Sequence, residues 1–256
     1  MTLSPATAVD LNCDLGEGVG DDAAVMPFIT SANVACGAHA GDLSTMRATV
    51  AAAVAAGVAI GAHPSYVDRA NFGRKAHALS PTQIFDLIGE QLEALGSVVR
   101  EHGTRLSHVK PHGALYHVAA SDPAVADAIA RAVGQRGDNL IVVGAPGSAL
   151  AAAAARQGLR FAGEIFADRG YGDDGRLLPR GQPGARLSLS PQDAAARAVT
   201  MFTRQVVVTH RGLEIPQAGA TICLHGDEPD VIARAQALHA AFRAAGVTPR
   251  ALAAWL

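Results

Sequence analysis

Lysine is almost missing from this chain: Lys75 and Lys110 are the only two among 21 basic residues. Aromatic side chains are scarce as well, at 4% with a single tryptophan, and the formal net charge is only −2. A basic stripe interleaved with aromatics is therefore lacking, and nucleic acid is not an expected partner. No apolar run approaches the length needed to cross a bilayer; the alanine-rich stretch 51–60 is too short and runs into His63-Pro64. A membrane is not an expected partner either. Met1 to Val9 shows no basic region followed by an apolar core, so no leader is expected. Cys13, Cys36 and Cys223 have no framework spacing; they fit a reducing cytoplasm and read as small buried residues. Three catalytic signatures are absent too: a Gly-x-x-x-x-Gly-Lys-Ser/Thr phosphate loop, a dinucleotide fingerprint behind a strand, and a Gly-x-Ser-x-Gly nucleophile elbow.

What remains is a regular alternation. The 256 residues suffice for a sizeable core, and no linker or shift of composition divides them, so 1–256 is read as one domain. Short apolar runs at 9–12, 32–35, 58–61, 106–109, 140–143, 161–163 and 221–224 predict seven strands. Between them lie helical patterns with recognisable ends. Asp42 or Ser44 caps a helix to Ala56 that Gly57 stops, and Ser80-Pro81 opens one running to about His102. Ser121-Asp122-Pro123 opens another to about Gln135, an alanine-rich helix spans 148–157, Ser190-Pro191 starts one to about His210, and the last runs from Pro229 to Ala245. Seven such units predict a parallel sheet, closed as a distorted (βα) barrel or open and doubly wound. In either case functional groups gather at the carboxyl ends of the strands.

The chemistry-bearing residues follow that rule. Asp14, His39, His63, Lys110, His112, Glu164, His225 and Asp227 all come just after predicted strands, with Asn12 and Glu17 crowded around the first. The stretch His108-Val-Lys-Pro-His-Gly-Ala-Leu-Tyr116 is central. Pro111 ends the strand ladder, so an ammonium and an imidazole leave one strand end together. A tunable point charge at Lys110 is something arginine cannot replace. Such a set suits acid/base or electrophilic catalysis on a carbonyl, or a metal held by His and Asp from separate strands. Residues 165–189, rich in Gly, Pro, Asp and Arg without periodicity, read as a lid carrying Asp168, Arg169 and Arg180 toward a ligand.

Several long motifs resemble the LamB/YcsF family: Asp10-Leu-Asn-Cys-Asp-Leu-Gly-Glu-Gly, Ser31-Ala-Asn-Val-Ala-Cys-Gly-Ala-His-Ala-Gly-Asp, and Gly61-Ala-His-Pro-Ser-Tyr. The stretch 108–116, Glu164-Ile-Phe-Ala-Asp-Arg-Gly-Tyr and Cys223-Leu-His-Gly-Asp continue the resemblance, which covers roughly residues 8–250. Ala38 stands where that family usually shows Phe. The resemblance implies a seven-stranded distorted TIM-like (βα) barrel of the glycoside hydrolase/deacetylase type. It also implies one component of an ATP-dependent 5-oxoprolinase, which opens 5-oxo-L-proline to L-glutamate together with subunits B and C. ATP, with Mg²⁺, is the implied co-substrate. Lys110, Arg169 or Arg180 would steady phosphate charge, Asp14 or Glu17 would hold nucleotide-bound Mg²⁺, and His63, His112 or Glu164 would activate water. Asn12, Asn33, His39, His225 and Asp227 are the further expected contacts. Two other functions stay open: a stand-alone metal-dependent deacetylase or amidohydrolase, and a non-catalytic assembly component that binds substrate for its partners.

Lys110 carries the first prediction. Lys110→Met should cut turnover of the assembled enzyme at least about a hundredfold, the scale of losing one preorganised charge donor. Full activity in that variant would remove Lys110 from the chemistry.

Overall fold

The computed structural model describes residues 7–256, so most of the Met1–Val9 segment, where no leader is expected, lies outside the described residues. Seven parallel strands close into a barrel: β1 (Ala8–Leu15), β2 (Ser31–Ala35), β3 (Ala59–His63), β4 (His108–Val109), β5 (Ile141–Gly144), β6 (Arg160–Phe166) and a last barrel strand at Thr221–His225 that returns to β1. The expected seven-stranded distorted (βα) barrel is the observed fold, and the open doubly wound alternative is not.

The first strand shows why the chain folds this way. Successive side chains of a strand face opposite sides. Val9, Leu11, Cys13 and Leu15 belong to the main apolar core, while Asp10, Asn12 and Asp14 occupy the other face and meet partners on neighbouring and opposite strands of the barrel. The apolar core thus lies between strands and surrounding helices. Helix α1 (Asp22–Val25) and α2 (Leu43–Ala56) precede the long α3 (Pro81–Glu101), which buries Ile84, Ile88, Leu92 and Leu95. The α3 start is a capping box: Ser80 Oγ accepts from the Gln83 amide, and Gln83 Oε1 accepts from the Ser80 amide. Asp42 caps α2 and Gly57 ends it in the left-handed conformation, as the sequence predicts.

The structure departs from the expectations in four places. A helix, α4 (Gly113–Ser121), follows directly on His112 and abuts α5 (Pro123–Gln135) through Asp122, which caps the latter. The second departure comes after α6 (Ala149–Arg156), in the region of α7 (Pro191–Arg204). The sequence pattern carries that helix to His210, but Gln205 turns left-handed at φ 53° and ends it. The β-branched run Val206-Val207-Val208 leaves the helix and pairs as β7 (Val206–Val208) with β8 (Glu214–Pro216). The final barrel strand is then β9 (Thr221–His225), followed by α8 (Val231–Ala244). Third, a short β10 (Thr248–Pro249) adds to the amino-terminal end of β1. Fourth, β1 and β6 run further than expected, so Asp14 and Glu164 sit within strands, facing the barrel interior, rather than after them.

One glycine is required by close approach. Gly61 pairs with His108 in the β3–β4 register, and a Cβ there would lie 2.1 Å from His108 Nε2. That imidazole is buried and bonded to Asn33 Oδ1 at 2.7 Å. Gly61→Ala should therefore destabilise the fold by about 1–3 kcal/mol, read as a lower urea midpoint at unchanged slope. An unshifted midpoint would mean that the His108 ring has room to move.

Candidate active site

The barrel interior is filled by a column of polar side chains. At its base Asp10 accepts hydrogen bonds from Thr30 and Ser31 on one oxygen and Thr221 on the other, at 2.7, 2.6 and 2.5 Å. Burial still raises its pKa, the three hydroxyls only partly offsetting it. One step up, Asn12 donates to Glu164 Oε1 (3.0 Å) and Thr221 Oγ1 (2.6 Å), and accepts from Asn33 Nδ2 at 2.7 Å. Asn33 also donates to Asp14 Oδ1 at 2.8 Å. Both amides are buried with every donor committed. Contrary to the expectation that Asn12 and Asn33 touch a cofactor, the structure turns them inward, where they hold the carboxylates in place.

Lys110 closes the column. Its Nζ lies 2.8 Å from Asp14 Oδ1, 2.8 Å from Glu164 Oε1, 3.1 Å from Asn12 Oδ1 and 3.0 Å from Cys223 Sγ. The residue is 2% exposed. Burial disfavours its ammonium, but Asp14, with Cys223 and Glu164, holds its pKa well above the usual lysine value. Burial likewise opposes the Asp14 carboxylate, and His63 and Lys110 more than reverse this, holding its pKa well below the usual range. Cys223 is buried as expected, but it touches the ammonium rather than merely filling space.

Above this pair sits a cluster of imidazoles. His63 ends β3 and His112 follows β4. His63 Nε2 is 3.3 Å from Asp14 Oδ2 and 3.0 Å from His112 Nδ1. The His39 ring stacks on His112 at 3.8 Å, and its Nε2 is 3.2 Å from Glu17 Oε1. Burial lowers His39 to about 3 and raises Glu17 to about 7. His108, four residues before His112, does not join them: it points down into the barrel to Asn33. Two sets of three donor groups could hold a metal ion here, Asp14 with His63 and His112, or Glu17 with His39 and His112.

The stretch 165–189 lies over this end of the barrel, as expected for a lid: Leu177 and Arg180 line the same small void as His63 and His112, about 40 Å³ in volume. Arg169 lines that void as well. It is 2% exposed and donates to the carbonyls of Ala185 (2.9 Å) and Leu178 (2.8 Å), pinning its own loop. Asp168 faces His225 at 3.6 Å, and Arg180 Nη2 lies 3.5 Å from the other nitrogen of that ring. Asp227 pairs with Arg74 at 2.8 Å at the rim. Beside the column opens a larger cavity of about 560 Å³, lined among others by Tyr116, His117, Ser148, Glu164, Arg176 and Gln217. Sequence reasoning missed Tyr116 and Arg74 as site residues, although Tyr116 closes the central motif and Arg74 stands in the polar loop after His63. Neither follows a strand, the feature that makes the other site residues stand out.

A closed parallel barrel whose ionisable side chains converge at the carboxyl ends of its strands has the layout that barrel enzymes use. Residues 9–256 match the model of the LamB/YcsF family, and the chain belongs to that family. It is 47% identical over 249 residues to the A subunit of 5-oxoprolinase from Bordetella pertussis, covering 95% of this chain and 98% of the relative. It is 48% identical over 256 residues to the A subunit of 5-oxoprolinase from Methylococcus capsulatus, covering 98% of each. Among solved structures, the lactam utilization protein from Thermus thermophilus superposes with a TM-score of 0.89 at 39% identity, covering 96% of this chain and all of that one.

The His225–Asp168 contact generates a pH prediction. Burial pulls His225 down, but hydrogen bonding and charge from Asp168 raise it above 6.5. Burial opposes the Asp168 carboxylate in turn, and the same contact overcomes this, holding it at about 2. A raised histidine contributes stability that is complete below its unfolded pKa and lost as pH rises through the folded one. Asp168→Asn should therefore lower stability most between about pH 4 and 6.5, and the deficit should shrink at higher pH. Chemical denaturation of both proteins across that range checks it; a deficit independent of pH would show that the two groups are not coupled.

Proposed function

We propose that this chain is the A subunit of an ATP-dependent 5-oxoprolinase, hydrolysing 5-oxo-L-proline to L-glutamate with ATP cleavage and acting with subunits B and C. The names of its relatives support a lactam substrate. The observation that carries the reading lies at the wall between the polar column and the 560 Å³ cavity. There Glu164 Oε2 and the Tyr116 hydroxyl, both buried, make no hydrogen bond of good geometry, and burial followed by the neighbouring Glu164 raises the phenol's pKa. A lactam is a cis amide, with its N–H and C=O on one edge, and a carboxylate acceptor beside a phenol donor complements that edge.

The chemistry follows from the substrate's stability. A five-membered lactam resists water, so ATP transfers its γ-phosphoryl group to the lactam oxygen and ADP departs. Water then adds to the activated carbon, the ring C–N bond breaks, and hydrolysis of the resulting acyl phosphate by a second water yields glutamate and phosphate. Arg180, which has no ion pair among the described residues, is the lid cation left for phosphate oxygens. Lys110, already clamped between Asp14 and Glu164, fixes Glu164 for the ring nitrogen and its proton. A lid over the mouth keeps water from the activated carbon until its turn. Among the described residues no recognisable nucleotide cradle forms, and ATP contacts come largely from a partner docked over the mouth.

The test is a coupled assay for ADP and glutamate. The isolated chain should show negligible 5-oxoproline-dependent ATP hydrolysis, and both products should appear in equal amounts once B and C are added. Stoichiometric production by the chain alone, at the rate of the mixture, would overturn the need for partners. Glutamate without ADP would instead support a stand-alone metal-dependent amidohydrolase.

A further inference from the structure

The two histidines at the mouth are held so that their lone pairs face each other. His63 Nδ1 lies 2.7 Å from the Lys110 carbonyl, and His112 Nε2 lies 2.9 Å from the Phe72 carbonyl. A carbonyl only accepts, so both of these nitrogens carry hydrogens. In neutral rings the other two nitrogens, His63 Nε2 and His112 Nδ1, are then bare, and they sit 3.0 Å apart. Asp14 Oδ2 is 3.3 Å from the first and Glu17 Oε1 is 3.6 Å from the second. Acceptors converging in a buried pocket repel one another unless a cation lies between them.

From this convergence we propose that Asp14 Oδ2, His63 Nε2 and His112 Nδ1 form a resident site for one divalent transition-metal ion of the zinc class. The inference goes beyond the lactam reading and stands on donor geometry alone. In a tetrahedral site with bonds of about 2.0–2.1 Å, neighbouring donors lie about 3.3 Å apart, close to the 3.0 and 3.3 Å seen here. Each ligand is oriented from behind, as metal ligands are. The Lys110 and Phe72 carbonyls fix the two rings, and His39 stacks on His112 with its plane 6° away. Lys110 and Asn33 occupy the other oxygen of Asp14. The remaining position opens on the 40 Å³ void, enough for a water or a substrate oxygen. Two imidazoles and one carboxylate select zinc, cobalt or iron over magnesium, which takes oxygen donors and keeps its waters. The Mg²⁺ of a nucleotide would therefore not use Asp14.

Calorimetric titration of the chelator-stripped full chain with zinc chloride, and then with cobalt chloride, tests this. One equivalent should bind at micromolar concentration or tighter, cobalt should give the visible spectrum of a low-coordinate nitrogen/oxygen site, and the melting temperature should rise on loading. Millimolar magnesium should not compete. His63→Gln and His112→Gln should each weaken zinc binding at least about tenfold, while His239→Gln on the distant helix α8 should not. The wild-type titration decides even where a variant fails to fold. No uptake by the stripped wild type would mean that the two rings share a proton instead, and would overturn the proposal. Displacement by magnesium, or unchanged binding in both folded variants, would overturn it too.

Discussion

The placement of one ammonium group constrains everything around it. Lys110 is buried between Asp14 and Glu164, and removing the lysine would leave both carboxylates buried without their cation, at a cost of about 3–5 kcal/mol. Three strands must therefore meet in register, because Asp14 comes from β1, Glu164 from β6 and Lys110 from the end of β4. Asn12, Asn33 and Thr221 supply the hydrogen bonds that make the ion group tolerable inside a barrel. The column beneath is then determined by saturation: each amide and hydroxyl has its donors used by the next.

This arrangement gives the site two sides. One is the imidazole mouth, where His63 and His112 stand over Asp14 with their free nitrogens turned toward each other. The other is the wall of Glu164 and Tyr116 beside the large cavity. Glu164 and Asp14 share Lys110, so the two sides are coupled through a single charge. A change in protonation or ligation at Asp14 alters the field at Glu164 without any movement of the backbone. The lid loop is held differently, by Arg169 reaching its own carbonyls, and this leaves Arg180 as the cation directed at the mouth.

Much of the fold was legible because local chemistry wrote it. Strand-to-helix alternation, the Ser80-Pro81 and Asp122-Pro123 starts and the Gly57 stop are short-range effects that act in any context, and they appear where the sequence places them. The site residues were legible as a group for a related reason: parallel strands bring their carboxyl ends to one face, so side chains near those ends must come together. The helix α4 was not legible because Gly113 looks like a turn in isolation, and its helix is fixed by packing after His112. The break at Gln205 was hidden because a helical start at Ser190 says nothing about where a valine run will prefer a hairpin.

The sequence alone determined that seven parallel strands would gather Asp14, His63, Lys110, His112, Glu164 and His225 at one end of the sheet, since period and order along the chain suffice for that, while closure into a barrel was not fixed by the pattern. The division of labour among them was decided only by tertiary structure. Whether Asn12 meets a ligand or a carboxylate, whether Arg169 faces out or pins a loop, and which nitrogen of His63 is bare all depend on partners distant along the chain. Hydrogen bonds and ion pairs are set by small differences in distance. Linear order does not carry that information until the barrel has closed.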